Sequence, residues 1–160
     1  MLNSPSQLVV FSLDGLHYAL DLSVVERTER MVEVTPLPQA PEIVVGVIDV
    51  RGKIIPVLNI RKRFRLPERP PALSDQLLIA RTARRAMAFT VDAVCGVVER
   101  SEQEIVEPAA VLPGIEYVKG VVKFADGMIF IHDLDDFLSL EEENALESAI
   151  GWAESMEMQE

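Results

Sequence analysis

The places where this chain of 160 residues could do chemistry are two histidines, one cysteine and a run of aspartates. His17 and His132 fall within or at the end of strand-patterned stretches. Nothing spaces them with Cys95 and the carboxylates in the clustered way that a zinc site requires. Cys95, among Val94, Val97 and Val98, reads as a small buried hydrophobe, since an activated thiol needs a basic, partly exposed setting. Asp133, Asp135 and Asp136 resemble a carboxylate cluster that a divalent cation could use, but at the start of a short helical stretch capping and solvation are the simpler reading. Ser12, Ser74 and Ser101 sit at turns or strand edges, with no nucleophile elbow and no glycine-rich phosphate cradle. Asp92, a lone acid after a strand, reads as a turn or cap residue. No catalytic constellation emerges, and neither an enzyme, a metal nor a cofactor is expected.

The cations ask a different question. Arg51 falls in G46-V-I-D-V-R-G-K-I-I-P-V-L-N-I-R61, at a tight turn between two apolar runs and beside Lys53 and Asp49. There it either solvates freely, pairs with a nearby acid such as Asp49, or meets a partner. A second basic group, Arg61-Lys62-Arg63 with Arg65, falls on a helical turn and reads as a solvated face.

Hairpins must hold these residues. Apolar, β-prone runs flank Asp14-Gly15, a strong local hairpin signal, and again flank Arg51-Gly52. Ser23 to Glu26 predicts one helical turn capped by Ser23, and residues 27–34 alternate toward a third strand. Pro36, Pro38 and Pro41 break the connector that follows. Asn59 is the expected cap of a short helix, and Pro67, Pro70 and Pro71 close the first half.

The second half repeats this order. Residues 76–83 and 85–92 predict a hairpin across Ala83-Arg84, residues 95–101 a third strand, and Pro108 and Pro113 a connector. A hairpin turning at Asp126-Gly127 and a short helix over residues 134–138 follow. One insertion aligns G46-V-I-D-V-R-G-K-I-I with G120-V-V-K-F-A-D-G-M-I, and V24-V-E-R27 returns in type as V97-V-E-R100. Shared element order over two halves marks a duplication. Short, proline-broken sheets protect their edges best by closing into small barrels, and barrels of about sixty residues are marginal alone. The expected architecture is therefore all-β: two barrel subdomains, roughly 7–66 and 75–138, sharing a core with room for strand exchange. They form one domain over 7–150. Ala145, Leu146, Ala149 and Ile150 predict a docked amphipathic helix over 139–152, with residues 153–160 frayed.

Composition narrows the function. Hydrophobic residues make 49% and charged residues 26%, a globular balance. Of the formal charge of −11, seven units are glutamates between 139 and 160, where no Lys or Arg occurs, which leaves −4 for the body. A nearly neutral body argues against nucleic-acid or anionic-membrane binding, which rests on a cationic face. No apolar run reaches the ~20 residues that span a bilayer, and the N-terminus lacks signal-peptide character, so a cytoplasmic protein is expected.

The run F11-x-L-x-G15-x-x-Y18-A-L-x-L22, V24-V-E26, T35-P-L-P38, the Arg51 hairpin through Arg61, V91-D-A-V94, Y117-V-K-G120 and L134-D-D-F-L138 resembles the CheW family of bacterial chemotaxis coupling proteins. The same domain type regulates the histidine kinase CheA. The resemblance covers about residues 7–150. It implies two intertwined five-stranded, SH3-like barrels with short helices, and an adaptor joining methyl-accepting chemoreceptor tips to CheA in membrane-associated arrays. By motif it places receptor binding at Val25, Glu26, Asp49, Arg51, Gly52 and Lys53, and leaves kinase-binding residues unassigned. Asp49 departs from the amide or small polar residue that the family more often has there, which bears on receptor choice. A coupling protein for pili or gliding is a close variant. A small-barrel ligand or oligonucleotide binder is the reading from another class, against which the acidic balance and 6% aromatic content speak.

Overall fold

The computed structural model describes residues 5–107, 118–124 and 127–158. In the first half, β1 (Ser6–Leu13) and β2 (Leu16–Asp21) form a hairpin, β3 (Val25–Arg30) follows, and β4 (Val44–Val50) and β5 (Lys53–Leu58) lead into α1 (Ile60–Arg63). In the second, β6 (Gln76–Arg81), β7 (Ala86–Val91), β8 (Ala93–Arg100), β9 (Val118–Phe124) and β10 (Gly127–His132) are followed by a 3-10 turn over Leu134–Phe137 and by α2 (Leu140–Met158). The turn before β3 is a 3-10 turn over Leu22–Val24. Its cap is Asp21, not Ser23: the Ser23 amide donates to Asp21 Oδ1 at 2.9 Å.

Two five-stranded sheets result, ordered β8-β1-β2-β10-β9 and β3-β6-β7-β5-β4. Each sheet draws on both halves of the chain, because the first hairpin of each half inserts into the sheet of the other. The insertion is made by the two parallel pairings among the described residues. β10 runs along β2 through Phe130 and Tyr18, and β5 runs along β7 through Val57 and Ala88.

The duplication is tighter than the aligned sequences suggest. Val44 to Val118 and Leu58 to His132 are both 74 residues apart, and so are the strand ends Val50 and Phe124 and the strand starts Lys53 and Gly127. No insertion is needed. Gly52 therefore corresponds to Asp126, which lies with Ala125 outside the described residues. The short helix keeps the same spacing: Ile60–Arg63 matches Leu134–Phe137, with caps at Asn59 and Asp133. The VVER likeness is not structural, since Val24–Arg27 runs from the end of the 3-10 turn into the start of β3 and Val97–Arg100 lies at the end of β8.

Two-residue alternation sorts the strands into three cores. Leu8, Val10, Ala19, Ile129 and Ile131 point into one barrel. Leu77, Ile79, Ala88, Ile55 and Val57 fill the other. The alternate faces, carrying Phe11, Tyr18, Leu78 and Phe89, meet between the barrels and take Phe137 and Leu146 from the helical end. Neither barrel covers both of its faces alone. A close crossing repeats in each half as well. Thr35 exchanges two backbone hydrogen bonds with Val47 at 2.9 and 2.8 Å, and Val106 does so with Val121 at 2.8 and 2.9 Å. The glycines at these crossings are obligatory to different degrees: a Cβ on Gly46 would lie 2.3 Å from the Thr35 carbonyl oxygen, and one on Gly120 would lie 2.6 Å from Ile105 Cγ2.

Three further expectations change. Cys95 is exposed. Val10 faces Gly96 while Phe11 faces Val94, so Cys95 is the extra residue of a β-bulge and drops out of the in-out alternation. Arg61 is not on a solvated face but only 8% exposed. And α2 continues to Met158, six residues beyond the expected end at Trp152, as the helix-favouring Ala153, Glu154 and Met156 allow.

Candidate docking site at the Arg51 hairpin

Arg51 and Gly52 are the two central residues of the β4–β5 turn, with φ of 53° and 85°. A type I′ turn needs both residues in the left-handed region, and its twist matches that of the flanking strands. Asp49 serves this turn: its Oδ1 accepts from the Gly52 amide at 2.8 Å. Arg51 is exposed and has no hydrogen-bond or ion-pair partner among the described residues, so the pairing with Asp49 is not formed. Lys53, across from Val50, is exposed as well. A rigid hairpin thus holds a guanidinium, with its planar fork of donors suited to carbonyls and carboxylates, out into solvent.

Beside it lies a depression of about 220 Å³ whose apolar wall includes Val32, Ile48 and Leu77, with Glu29, Asp49 and Arg51 supplying charge. Val32 is itself exposed. Sequence reasoning did not single out Glu29 or Val32. The alternation of residues 27–34 could have placed Glu29 on one face of β3, but not that face beside β4. Val25 and Glu26 sit at the other end of β3, where Val25 pairs with Ala80 and Glu29 with Leu77. Four residues of strand separate Val25 from Glu29, about 13 Å. Asp49 and Arg51 therefore line one depression, Gly52 and Lys53 follow on the same turn without lining it, and Val25 and Glu26 sit at the far end of β3.

A second charged group is built inward. Arg61 Nη1 donates to Asp14 Oδ1 at 2.7 Å and to the Pro67 carbonyl at 3.1 Å, and its Nη2 donates to Asp92 Oδ1 at 2.7 Å. Arg69 grips Asp75 with both terminal nitrogens, at 2.9 and 2.8 Å, and also reaches Asp92. The Asp14 amide, in the β1–β2 turn, donates to Asp92 Oδ2 at 2.8 Å. Hydrogen bonding from Arg69 holds the Asp75 carboxyl below its ordinary pKa. Burial pushes Asp92 upward, but the Asp14 amide and the two arginines outweigh it and the net shift is down. Asp92 sits at the bend between β7 and β8 but is not a lone acid: its carboxylate locks the exchanged β1–β2 hairpin to α1 and to the proline strap of residues 67–71.

Asp133 caps its 3-10 turn by accepting from the Asp135 amide at 3.0 Å. Burial, and then the charges of Asp133 and Asp135, raise the pKa of Asp136. Among the described residues no group of three or more His, Cys, Asp or Glu side chains is placed to hold a metal, and no helix is long and apolar enough to cross a membrane. His132 is buried and stacks on Phe64 with ring centroids 4.2 Å apart.

Two hairpin-exchanged barrels with an outward-held arginine beside an apolar depression define a duplicated small-barrel module whose chemistry is that of a contact surface. The chain belongs to the CheW-like domain family, whose model matches residues 7–142. It is 30% identical over 142 residues to the chemotaxis protein CheW of Treponema pallidum, covering 85% of this chain and 84% of that one. It is 29% identical over 133 residues to the chemotaxis protein CheW of Thermotoga maritima, covering 82% and 87%. The crystal structure of the scaffolding protein TtCheW from Thermoanaerobacter tengcongensis superposes with a TM-score of 0.77 at 33% identity, covering 87% of this chain and 96% of that one.

Proposed function

We propose that this protein is a non-catalytic adaptor that couples the cytoplasmic tips of methyl-accepting chemoreceptors to the histidine kinase CheA, in the cytoplasm at membrane-associated arrays. The observation that carries the receptor site is the exposed Arg51, without a partner among the described residues, on its type I′ turn beside the Val32 depression. A helical receptor hairpin is about two helix diameters wide, roughly 20 Å. That width reaches from the depression to Val25 and Glu26, so one tip can use both ends of β3. Apolar side chains of the tip would enter the depression while Arg51 bonds its carbonyls or carboxylates. Kinase output would rise because receptor and kinase are held at high effective concentration in one geometry.

The test is a reconstituted kinase assay and pull-down with cognate CheA and receptor tip. Wild type should bind both and activate the kinase. Arg51→Glu should lose receptor binding by at least thirtyfold, the order expected for truncating or reversing a buried interfacial charge, while still binding CheA. Wild type binding neither partner overturns the adaptor reading. Arg51→Glu binding the receptor as wild type does leaves the adaptor standing and removes the site.

A further inference from the structure

In α2, Leu146, Ala149, Ala153 and Met156 follow one another at spacings of three, four and three, a single apolar stripe along the helix. The stripe is covered for only half its length. Leu146 and Ala149 are 0% and 1% exposed against the shared core, whereas Met156 is 47% exposed and Trp152, one turn before it, 39%. The docked half also shows how this helix seats itself. Its apolar residues enter a core while the glutamates at the margin meet arginines: Glu142 with Arg63 Nη2 at 2.6 Å, and Glu143 with Arg85 Nε. The projecting half keeps the same composition: the exposed Glu154 lies between Trp152 and Met156, and the helix sequence holds no Lys or Arg. The family match ends at residue 142, so nearly all of this helix lies beyond it.

We infer that the projecting half of α2 is a docking helix whose Trp152–Met156 face enters an apolar groove rimmed by Lys or Arg on a protein of the receptor–kinase assembly. Charge selects this occupant over a second copy of the chain, because pairing two such helices brings together two sets of glutamates with no cation between them. An anionic membrane surface is disfavoured on the same ground. The geometry is that of helix-in-groove recognition, with anchors one turn apart and an acidic surround that steers approach to a basic rim. The inference rests on the adaptor reading.

Trp152 is the only tryptophan, so the full-length protein labelled with 5-fluorotryptophan gives a single fluorine resonance that reports this face alone. The labelled protein is titrated with cognate CheA, with receptor tip and with both, while pull-down reports assembly independently. The expected result is a shifted or broadened resonance in the assembly, absent from the protein alone across its concentration range. Trp152→Ala/Met156→Ala should fold with an unchanged far-UV spectrum and bind the assembly about tenfold more weakly, as loss of an interface anchor does. Raising salt should weaken wild type and the variant alike, because both keep the glutamates that face the basic rim. An assembly that forms while the resonance stays put, or a variant that binds as wild type does, overturns the docking helix and leaves the adaptor reading intact. A resonance that shifts with concentration of the protein alone, or on anionic vesicles, overturns the stated occupant. No assembly at all refutes the adaptor reading, and the inference falls with it.

Discussion

Replacing Arg61 by Met should destabilise the protein at neutral pH, by an amount that follows from the groups it leaves behind. Arg61 makes two charged hydrogen bonds at 2.7 Å and one to the Pro67 carbonyl. Removing one partner of a buried ion pair costs about 3–5 kcal/mol when the other charge is left uncompensated. Here the stranded charges are partly rescued. The Asp14 side chain is about one-third exposed, and Asp92 keeps Arg69 and the Asp14 amide. A discount of roughly half for solvent screening leaves about 2 kcal/mol. In urea that is a fall in midpoint of about 1 M, and on heating a fall of about 4–8 °C.

A double-mutant cycle with Asp92→Asn should show a coupling of about 1–2 kcal/mol, as groups in one network do. The pH dependence carries a sign. Asp75 and Asp92 have folded-state pKa values below their unfolded ones, so the stability they contribute is complete above the unfolded carboxylate range. It is lost as pH falls through the lower folded values. Wild-type stability should therefore decline below about pH 4, and Asp92→Asn should lack part of that decline. Arg61→Met within about 0.5 kcal/mol of wild type, or strictly additive with Asp92→Asn, would show that the network does not lock the exchanged hairpin.

The two crossing glycines should differ under substitution. Gly46→Ala drives a Cβ into the backbone oxygen of Thr35 and should cost more than about 2 kcal/mol by urea denaturation, because the two hydrogen bonds to Val47 must open. Gly120→Ala meets the end of the Ile105 side chain, which can turn aside, so it should cost less; equal costs would contradict this. Glu143→Ala leaves Arg85 without its buried partner and should lower stability by about 3 kcal/mol, whereas Arg85→Met/Glu143→Leu should recover most of it. A double variant as unstable as the single would refute that account. Asp49→Ala should cost about 1 kcal/mol through the lost bond to the Gly52 amide and Asp49→Asn only part of that, read by thermal melts.

What the sequence makes legible here is local. Asp14-Gly15 announces its hairpin because the turn chemistry sits in adjacent residues, and Asn59 and Asp133 announce their short helices for the same reason. The partner of β2 is not legible, since Tyr18 pairs with Phe130 across more than a hundred residues and nothing in either strand records the other. Cys95 misleads because a bulge, which depends on the β1 partner, decides which way it faces.

Arg51 and Arg61 show the limit most clearly. Each is a cation in the first copy that the second copy replaces, at a separation of 74 residues, by Ala125 and Asp135. In the sequence they are therefore equivalent departures from a repeat. Their neighbours in space separate them. Arg61 is buried and donates to Asp14, Asp92 and Pro67, residues distant in sequence that the exchanged hairpin and the proline strap bring to it. Arg51 stands on a turn whose geometry Asp49 and Gly52 already satisfy without it. A departure that the fold uses is accounted for by stability, and one that the fold leaves in solvent is not. On that ground Arg51→Glu should leave the unfolding free energy from urea denaturation within about 0.5 kcal/mol of wild type while weakening receptor binding at least about thirtyfold. A large loss of stability in Arg51→Glu would place Arg51 with Arg61, among the residues that build the domain.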